Sequence, residues 1–127
     1  MKKIRKNVLK RFLFVCLGLA FTTMVVATVV LEPPGPPRDP EIADKTPTSC
    51  KISYKKPLRD GGSKIALYRI ESKYSYSDRW EKRGGTKELK HTVINLTPGS
   101  KVKFRIAAIN GVGESVPVET DEIQLPK

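Results

Sequence analysis

From Arg38 onward the chain alternates apolar and polar residues in short runs, and a period of two dictates strands with one buried face. Cys50, Ile52 and Tyr54 alternate with Lys51, Ser53 and Lys55. Tyr68, Ile70 and Ser72 alternate with Leu67, Arg69 and Glu71, and Val102, Phe104, Ile106 and Ala108 alternate with Lys101, Lys103, Arg105 and Ala107. His91, Val93 and Leu96 mark one more run. Turn-forming clusters separate the runs: Pro57–Gly62, Gly84-Gly85, Thr97-Pro98-Gly99 and Asn110–Gly113. Short strands punctuated at this spacing predict an all-β sandwich, in which about 90 residues bury one core between two sheets.

Ahead of the sandwich the character of the chain changes. Phe12–Leu31 contains no charged residue. In a helix, twenty residues reach about 30 Å, the thickness of a bilayer's hydrocarbon core. Lys2, Lys3, Arg5, Lys6, Lys10 and Arg11 precede this run with no acid among them. The pattern predicts an N-terminal apolar helix over 12–31, serving as a transmembrane signal anchor or a signal peptide. Residues 1–11 are then a basic cytoplasmic cap, and everything after Leu31 lies across the membrane. The run is longer than the usual apolar core of a signal peptide, about 7–15 residues, which favours an anchor; Val25-Val26-Ala27 still offers a small-residue cleavage site. Residues 32–37, with four prolines among six positions, read as a stiff extended linker, and 38–127 as the folded domain.

The net charge of +11 is carried in large part by the basic cap, so it does not point to a nucleic-acid surface on the domain. No strand pair shows the interleaved aromatic and basic residues that stack single-stranded bases. With one histidine, His91, and two cysteines, Cys16 and Cys50, the sequence lacks a four-ligand zinc site and a disulfide-dense scaffold. Cys50 falls on the inward side of its strand and reads as a small buried hydrophobe. Gly84-Gly85-Thr86 lacks phosphate-loop spacing, and nothing in the sequence buries the Asp121-Glu122 pair. The expectation is no catalysis, no cofactor, no metal and no small-molecule substrate.

Several motifs, taken in order, resemble a fibronectin type III domain across Pro33–Leu125. They are Pro33-Pro34-Gly35-Pro36-Pro37; Lys56-Pro57 followed by Asp60-Gly61-Gly62-Ser63-Lys64-Ile65, Tyr68 and Glu71; Trp80; Asn95-Leu96-Thr97-Pro98-Gly99; and Phe104-Arg105-Ile106 leading through Ala108 and Asn110 to Gly113-Glu114-Ser115. The resemblance implies a seven-stranded immunoglobulin-like β-sandwich. It also implies fold-defining roles for Tyr54, Gly61, Gly62, Tyr68, Leu96, Gly99, Phe104, Ala108 and Asn110. In finer detail the motifs are similar to the domains of giant muscle proteins of the titin, twitchin and myosin-binding type, and Thr28–Pro37 resembles the last strand of a preceding immunoglobulin domain with its linker.

Two departures from the family pattern carry a stability expectation. Tyr54 stands where the family usually has tryptophan, and its hydroxyl needs a partner. Val102 stands where the family has the tyrosine that closes the corner at Asn95–Gly99. Loss of that hydrogen bond, worth about 1 kcal/mol, predicts a domain less stable than its relatives and a gain from Val102→Tyr.

Outward alternation places Arg69, Lys103 and Arg105 on one sheet face beside Leu67 and Ile109, with Tyr74, Tyr76 and Trp80 in the adjoining segment. Arginine and aromatic side chains are the types that anchor interfaces, and a basic face favours an acidic protein partner. Lys51, Lys55, Lys56 and Arg59 form a second basic stretch. Asn95-Leu96-Thr97 is a glycosylation sequon, disfavoured by Pro98 and in competition with a structural role for Asn95 at its corner. The functional expectation is a non-catalytic protein-interaction module tethered to a membrane, its C-terminal domain non-cytoplasmic. The alternative is a structural unit or fragment of a titin- or twitchin-like filament in the cytoplasm, within the sarcomere.

Overall fold

The computed structural model describes residues 28–127. The apolar helix expected over 12–31 lies outside the described residues except for its last four, and Thr28–Leu31 are extended rather than helical. Among the described residues no helix is long and apolar enough to cross a membrane.

The alternating runs become strands where they were expected. They are β1 (Arg38–Lys45), β2 (Cys50–Lys55), β3 (Leu67–Tyr74), β4 (Glu81–Thr86), β5 (Lys90–Val93), β6 (Lys101–Ile109), β7 (Val118–Glu119) and β8 (Ile123–Gln124). A three-stranded sheet, β1-β2-β5, packs on a five-stranded sheet in which β4, β3, β6 and β7 lie in order and β8 also pairs with β6. The pieces β7 and β8 run along β6 as one interrupted strand, which gives the expected seven-strand sandwich. Four steps from Glu119 to Ile123 oppose three from Arg105 to Val102, so one residue bulges out. At the bulge the Phe104 amide donates to Thr120 Oγ1 at 3.0 Å, and the Thr120 amide donates to the Phe104 carbonyl at 2.8 Å. A side-chain hydroxyl thus takes the place of a ladder carbonyl. Ser115 does the same for the Ala108 amide at 2.9 Å.

Inward residues of both sheets form one core. Ile52, Ile70, Val93, Val102, Phe104, Ile106 and Leu125 are essentially sealed from solvent. Each such side chain contributes roughly 1.5–3 kcal/mol through burial. Cys50 is sealed as well, and burial pushes its thiol up to about 11, so it stays protonated and unreactive at neutral pH.

Both aromatic departures are resolved within this core. The Tyr54 hydroxyl donates to the Glu88 carbonyl at 2.7 Å, and its ring packs at 5.0 Å on Tyr68. The corner that Val102 leaves open is closed from the neighbouring strand. Tyr74 on β3 lies directly opposite Val102 on β6, and its hydroxyl accepts a 3.1 Å hydrogen bond from the Thr97 amide. Arg83 reaches the same oxygen at 3.3 Å and donates to Ser72 Oγ at 2.7 Å, closing the β4 side of the corner. The corner left without its tyrosine at Val102 is thus closed by a ring and hydroxyl from one strand over. Asn95 adopts φ 61°, a left-handed conformation that asparagine tolerates and that the corner requires.

Gly84-Gly85, expected as a turn, lies inside β4 at a break in the β3–β4 register. A strand glycine marks close approach by a neighbour. Here the His91 ring stands 3.3 Å from where a Gly84 side chain would begin, and Leu67 stands 3.1 Å from the equivalent point on Gly85.

The proline-rich segment 32–37 is joined to the domain rather than standing clear of it. The Glu32 amide donates to the Gly61 carbonyl and the Gly35 amide to the Arg59 carbonyl, each at 2.9 Å. Gly61 has φ 76°, and any side chain there would collide with the Glu32 carbonyl. Asn110, buried at the same pole, uses its whole amide. Its Nδ2 donates to the carbonyls of Glu32 at 2.9 Å and Asp60 at 2.7 Å, while Oδ1 accepts from the amides of Val112 at 2.8 Å and Gly113 at 3.0 Å.

Two outcomes are expected in urea denaturation. Tyr74→Phe lowers stability by about 1 kcal/mol, whereas Val102→Tyr forces a ring into a filled site and lowers it by about 1–3 kcal/mol instead of raising it. Asn110→Ala strips four bonds from one buried amide and costs about 2–4 kcal/mol, with hydrogen exchange accelerating first at Val112 and Gly113.

Candidate functional surface

The outer face of the five-stranded sheet carries the residues expected to meet a partner. The β3–β6 register sets Glu71 opposite Arg105, Lys73 opposite Lys103 and Arg69 opposite Ala107. Arg105 Nε donates to Glu71 Oε1 at 2.5 Å. The other oxygen of Glu71 lies 3.6 Å from Arg69 Nε, and the Arg69 guanidinium forms a two-point pair with Glu114, one bond of it at 2.9 Å. Lys103 Nζ pairs with Glu119 at 3.3 Å. Every cation expected on this face thus meets a carboxylate. The reading of the face as a basic surface for an acidic partner is corrected: it is a nearly neutral ion-pair network in which Lys73, opposite Lys103, stands outside a pair among the described residues.

Trp80, just ahead of β4, covers part of that network. The Arg105 guanidinium lies 4.4 Å from its ring centre, with Lys73 at 5.7 Å and Lys103 at 6.0 Å. Trp80 is half-buried. Cations held over an indole face gain electrostatic attraction and lose rotamer freedom. The face therefore presents a rigid aromatic shelf with charged groups already fixed around it. Tyr76 belongs elsewhere. It is 72% exposed and stacks on Tyr74 at 5.1 Å with the rings nearly parallel, beside the corner.

The structure thus brings Arg69, Arg105, Lys103 and Trp80 together and leaves Tyr76 apart. It adds Glu71, Glu114 and Glu119, which the sequence reading missed as functional residues. Glu71 was legible as the outward residue two positions after Arg69. Glu114 and Glu119 needed the fold, since they arrive from the loop and strand that follow β6. The second basic stretch divides: Lys55 pairs with Asp39 at 3.7 Å, whereas Lys56 and Arg59 line a cleft at the pole where residues 28–37 pack. Asn95 is exposed at its corner, with its sequon intact. Among the described residues no group of three metal-ligating side chains gathers.

Trp80 is the single tryptophan of the chain, so its fluorescence reports this face. Arg105→Ala is expected to red-shift its emission and raise acrylamide quenching. Glu71→Gln, which removes the carboxylate partner of Arg105 and leaves Arg69 to Glu114 alone, is expected to do the same more weakly and to lower stability by about 1–2 kcal/mol.

A family profile described as Fibronectin type III domain matches residues 35–121. Among curated relatives, Titin of Drosophila melanogaster is 33% identical over 106 residues, covering 82% of this chain and 1% of that protein. The chain spans 1% or less of the length of the titin-type relatives it matches. Among solved structures, domains A168–A170 from titin align with TM-score 0.73 at 32% identity, over 76% of this chain and 33% of that one. Titin module A71 from human cardiac muscle, determined by NMR, aligns with TM-score 0.67 at 31% identity, over 72% of this chain and 92% of that one, so it is a module that folds alone. The profile match, the two-sheet sandwich and the muscle-type motifs agree, and the chain belongs to the fibronectin type III family.

Proposed function

We propose that this chain is a non-catalytic fibronectin type III module for protein–protein interaction, held at a membrane by an N-terminal signal anchor. The observation that carries the interaction role is the Trp80 shelf, with Arg105 fixed 4.4 Å from the ring centre. An immobilised aromatic and arginine at the centre of a sheet, with ion pairs around them, matches the anatomy of an interface with a polar rim. Because Glu71, Glu114 and Glu119 neutralise the face, its partner is recognised by shape and aromatic contact rather than by opposite charge. Support for the anchor is the charge-free run from Phe12 behind six cations, a pattern that favours a non-cytoplasmic domain under the positive-inside rule.

A second reading is favoured by the likeness to titin domains and by the docked segment 28–37. In that reading the module is a structural unit of a filament protein in the sarcomere, and the ordered proline-rich segment is its joint to a preceding domain. Asn95 carries a glycan only under the first reading, and Pro98, directly after the sequon, disfavours occupancy even there.

Fractionation of native tissue, with an antibody to residues 38–125, separates the two. A small band in the carbonate-resistant membrane fraction is the expected result. A very large cytoskeletal band without a small one would sink the anchor and leave the filament reading. For the interaction role, Trp80→Ala in purified protein is expected to weaken capture of the partner at least tenfold, the scale of an aromatic hot spot, with unchanged circular dichroism.

A further inference from the structure

A cleft of about 760 Å³ opens at the pole where Asn110 ties Glu32 to the Pro57–Gly62 turn. That volume lies within the usual range of clefts that enclose a ligand, about 300–1,000 Å³. Four cations line it, Lys56, Arg59, Lys64 and Lys87, against two acids, Glu32 and Asp60. One oxygen of Asp60 is already engaged, accepting the Gly62 amide at 2.9 Å. Among the described residues none of the four cations pairs with a carboxylate, whereas Arg69, Lys103 and Arg105 on the outer sheet face each do. Residues 1–27 contain no aspartate or glutamate, so every carboxylate side chain of the sequence is among the described residues. No side chain elsewhere in the sequence supplies the missing partner.

The cleft is held in shape before anything enters it. The segment that presents Lys56 and Arg59 is fixed through its carbonyls. That of Lys56 accepts from Arg38 Nε at 2.7 Å, and that of Arg59 from the Gly35 amide at 2.9 Å. The Asp60 carbonyl accepts from Asn110 Nδ2 at 2.7 Å, and the Gly61 carbonyl from the Glu32 amide at 2.9 Å. A segment fixed in this way loses little conformational freedom on binding. The lining is also partly apolar. Ile65 and Leu89 line the cleft and pack against the core. Leu58 and Val30 line it too, and they are 81% and 73% exposed.

We infer that this cleft is a docking site for an acidic protein segment that carries an apolar side chain among its carboxylates. Charge complementarity selects the carboxylates. Lys56, Arg59 and Lys64 lie between β2 and β3, and Lys87 between β4 and β5, so two separate connections turn unpaired cations onto one cleft. Such a concentration of one sign attracts an anionic chain and speeds its encounter. The apolar lining selects the side chain. Leu58, Val30, Ile65 and Leu89 gain from losing water only if the occupant brings apolar surface of its own, and a bare polyanion leaves them wet. The inference goes beyond the interaction role proposed for the Trp80 face, and it holds with or without a membrane anchor.

The experiment uses a polypeptide of residues 28–127, because the six cations of residues 1–11 would capture any acidic probe. It contains every core residue and is the kind of single module that folds alone in a titin relative. Two short fluorescein-labelled peptides are titrated against it by anisotropy. One is a run of glutamates around a central leucine and phenylalanine; the other has serine in both apolar positions. The first is expected to bind, less tightly as salt rises, and the second at least tenfold more weakly. Lys56→Gln with Lys64→Gln is expected to lower affinity for the first peptide about tenfold, at about threefold for each exposed ion pair lost. Lys87→Gln, on the other connection, lowers it about threefold. Leu58→Ser lowers it several-fold, while Lys101→Gln, at the far end of β6, changes nothing. These positions are exposed, so the urea midpoint of each variant is expected to match that of the parent. Absence of binding by the first peptide overturns the inference. Equal binding of the two peptides also overturns it, by making the pole a patch for any polyanion. So does binding indifferent both to the Lys56 and Lys64 pair and to Lys87.

Discussion

The antiparallel register of β3 on β6 is the constraint on which both faces of the domain depend. A strand's side chains alternate with a period of two, so a shift by one residue would turn the core outward and the ion pairs inward. With Ser72 opposite Phe104, the residues Tyr68, Ile70 and Tyr74 fall on the core side, with Ala108, Ile106 and Val102 as partners. The same register sets Glu71 opposite Arg105 on the other side. It also places Tyr74 across from Val102, so that a phenol can reach the corner at Thr97 from the adjacent strand. What the corner needs is a ring and an oxygen in a given place, and the sandwich accepts them from either strand that passes there.

The second organising element is the buried amide of Asn110. It joins three segments distant in sequence: the extended residues before β1, the Asp60 turn, and the loop after β6. A buried amide with its four bonds made is rigid, and one with some missing is costly. The proline-rich segment is therefore fixed against the domain. This is why the exposed aliphatics at Val29–Leu31 have a defined place beside the lysine-lined cleft.

The charge distribution follows from this geometry. Arg69, Lys103 and Arg105 on the outer sheet face are each matched by a carboxylate, and Lys73, Lys103 and Arg105 lie around an indole ring. Among the described residues, the cations Lys56, Arg59, Lys64 and Lys87 at the pole are not matched. A count of lysines and arginines treats the two sets alike, but pairing distinguishes them: a neutralised network shapes a contact, while unpaired cations keep their field.

Fold class, the strand runs and most turn positions were legible in the sequence, because alternation and glycine or proline punctuation are local properties. So were Arg69, Lys103, Arg105 and Trp80 of the outer face, though not the carboxylates that pair with them, and the place of Asn110 in its motif. Gly84-Gly85 misled, because the reasons for those glycines are the φ of 120° at Gly84 and the approach of His91 and Leu67 from other strands. Val102 misled for a similar reason, since the tyrosine that replaces the absent one lies 28 positions earlier in the chain. The sequence alone determined which residues face inward, as side-chain period is fixed by backbone geometry. Only the tertiary structure decided which charges are paired, which hydroxyl closes the corner and which lysines share a cleft. Those depend on distances between strands, and such distances exist only once the register is set.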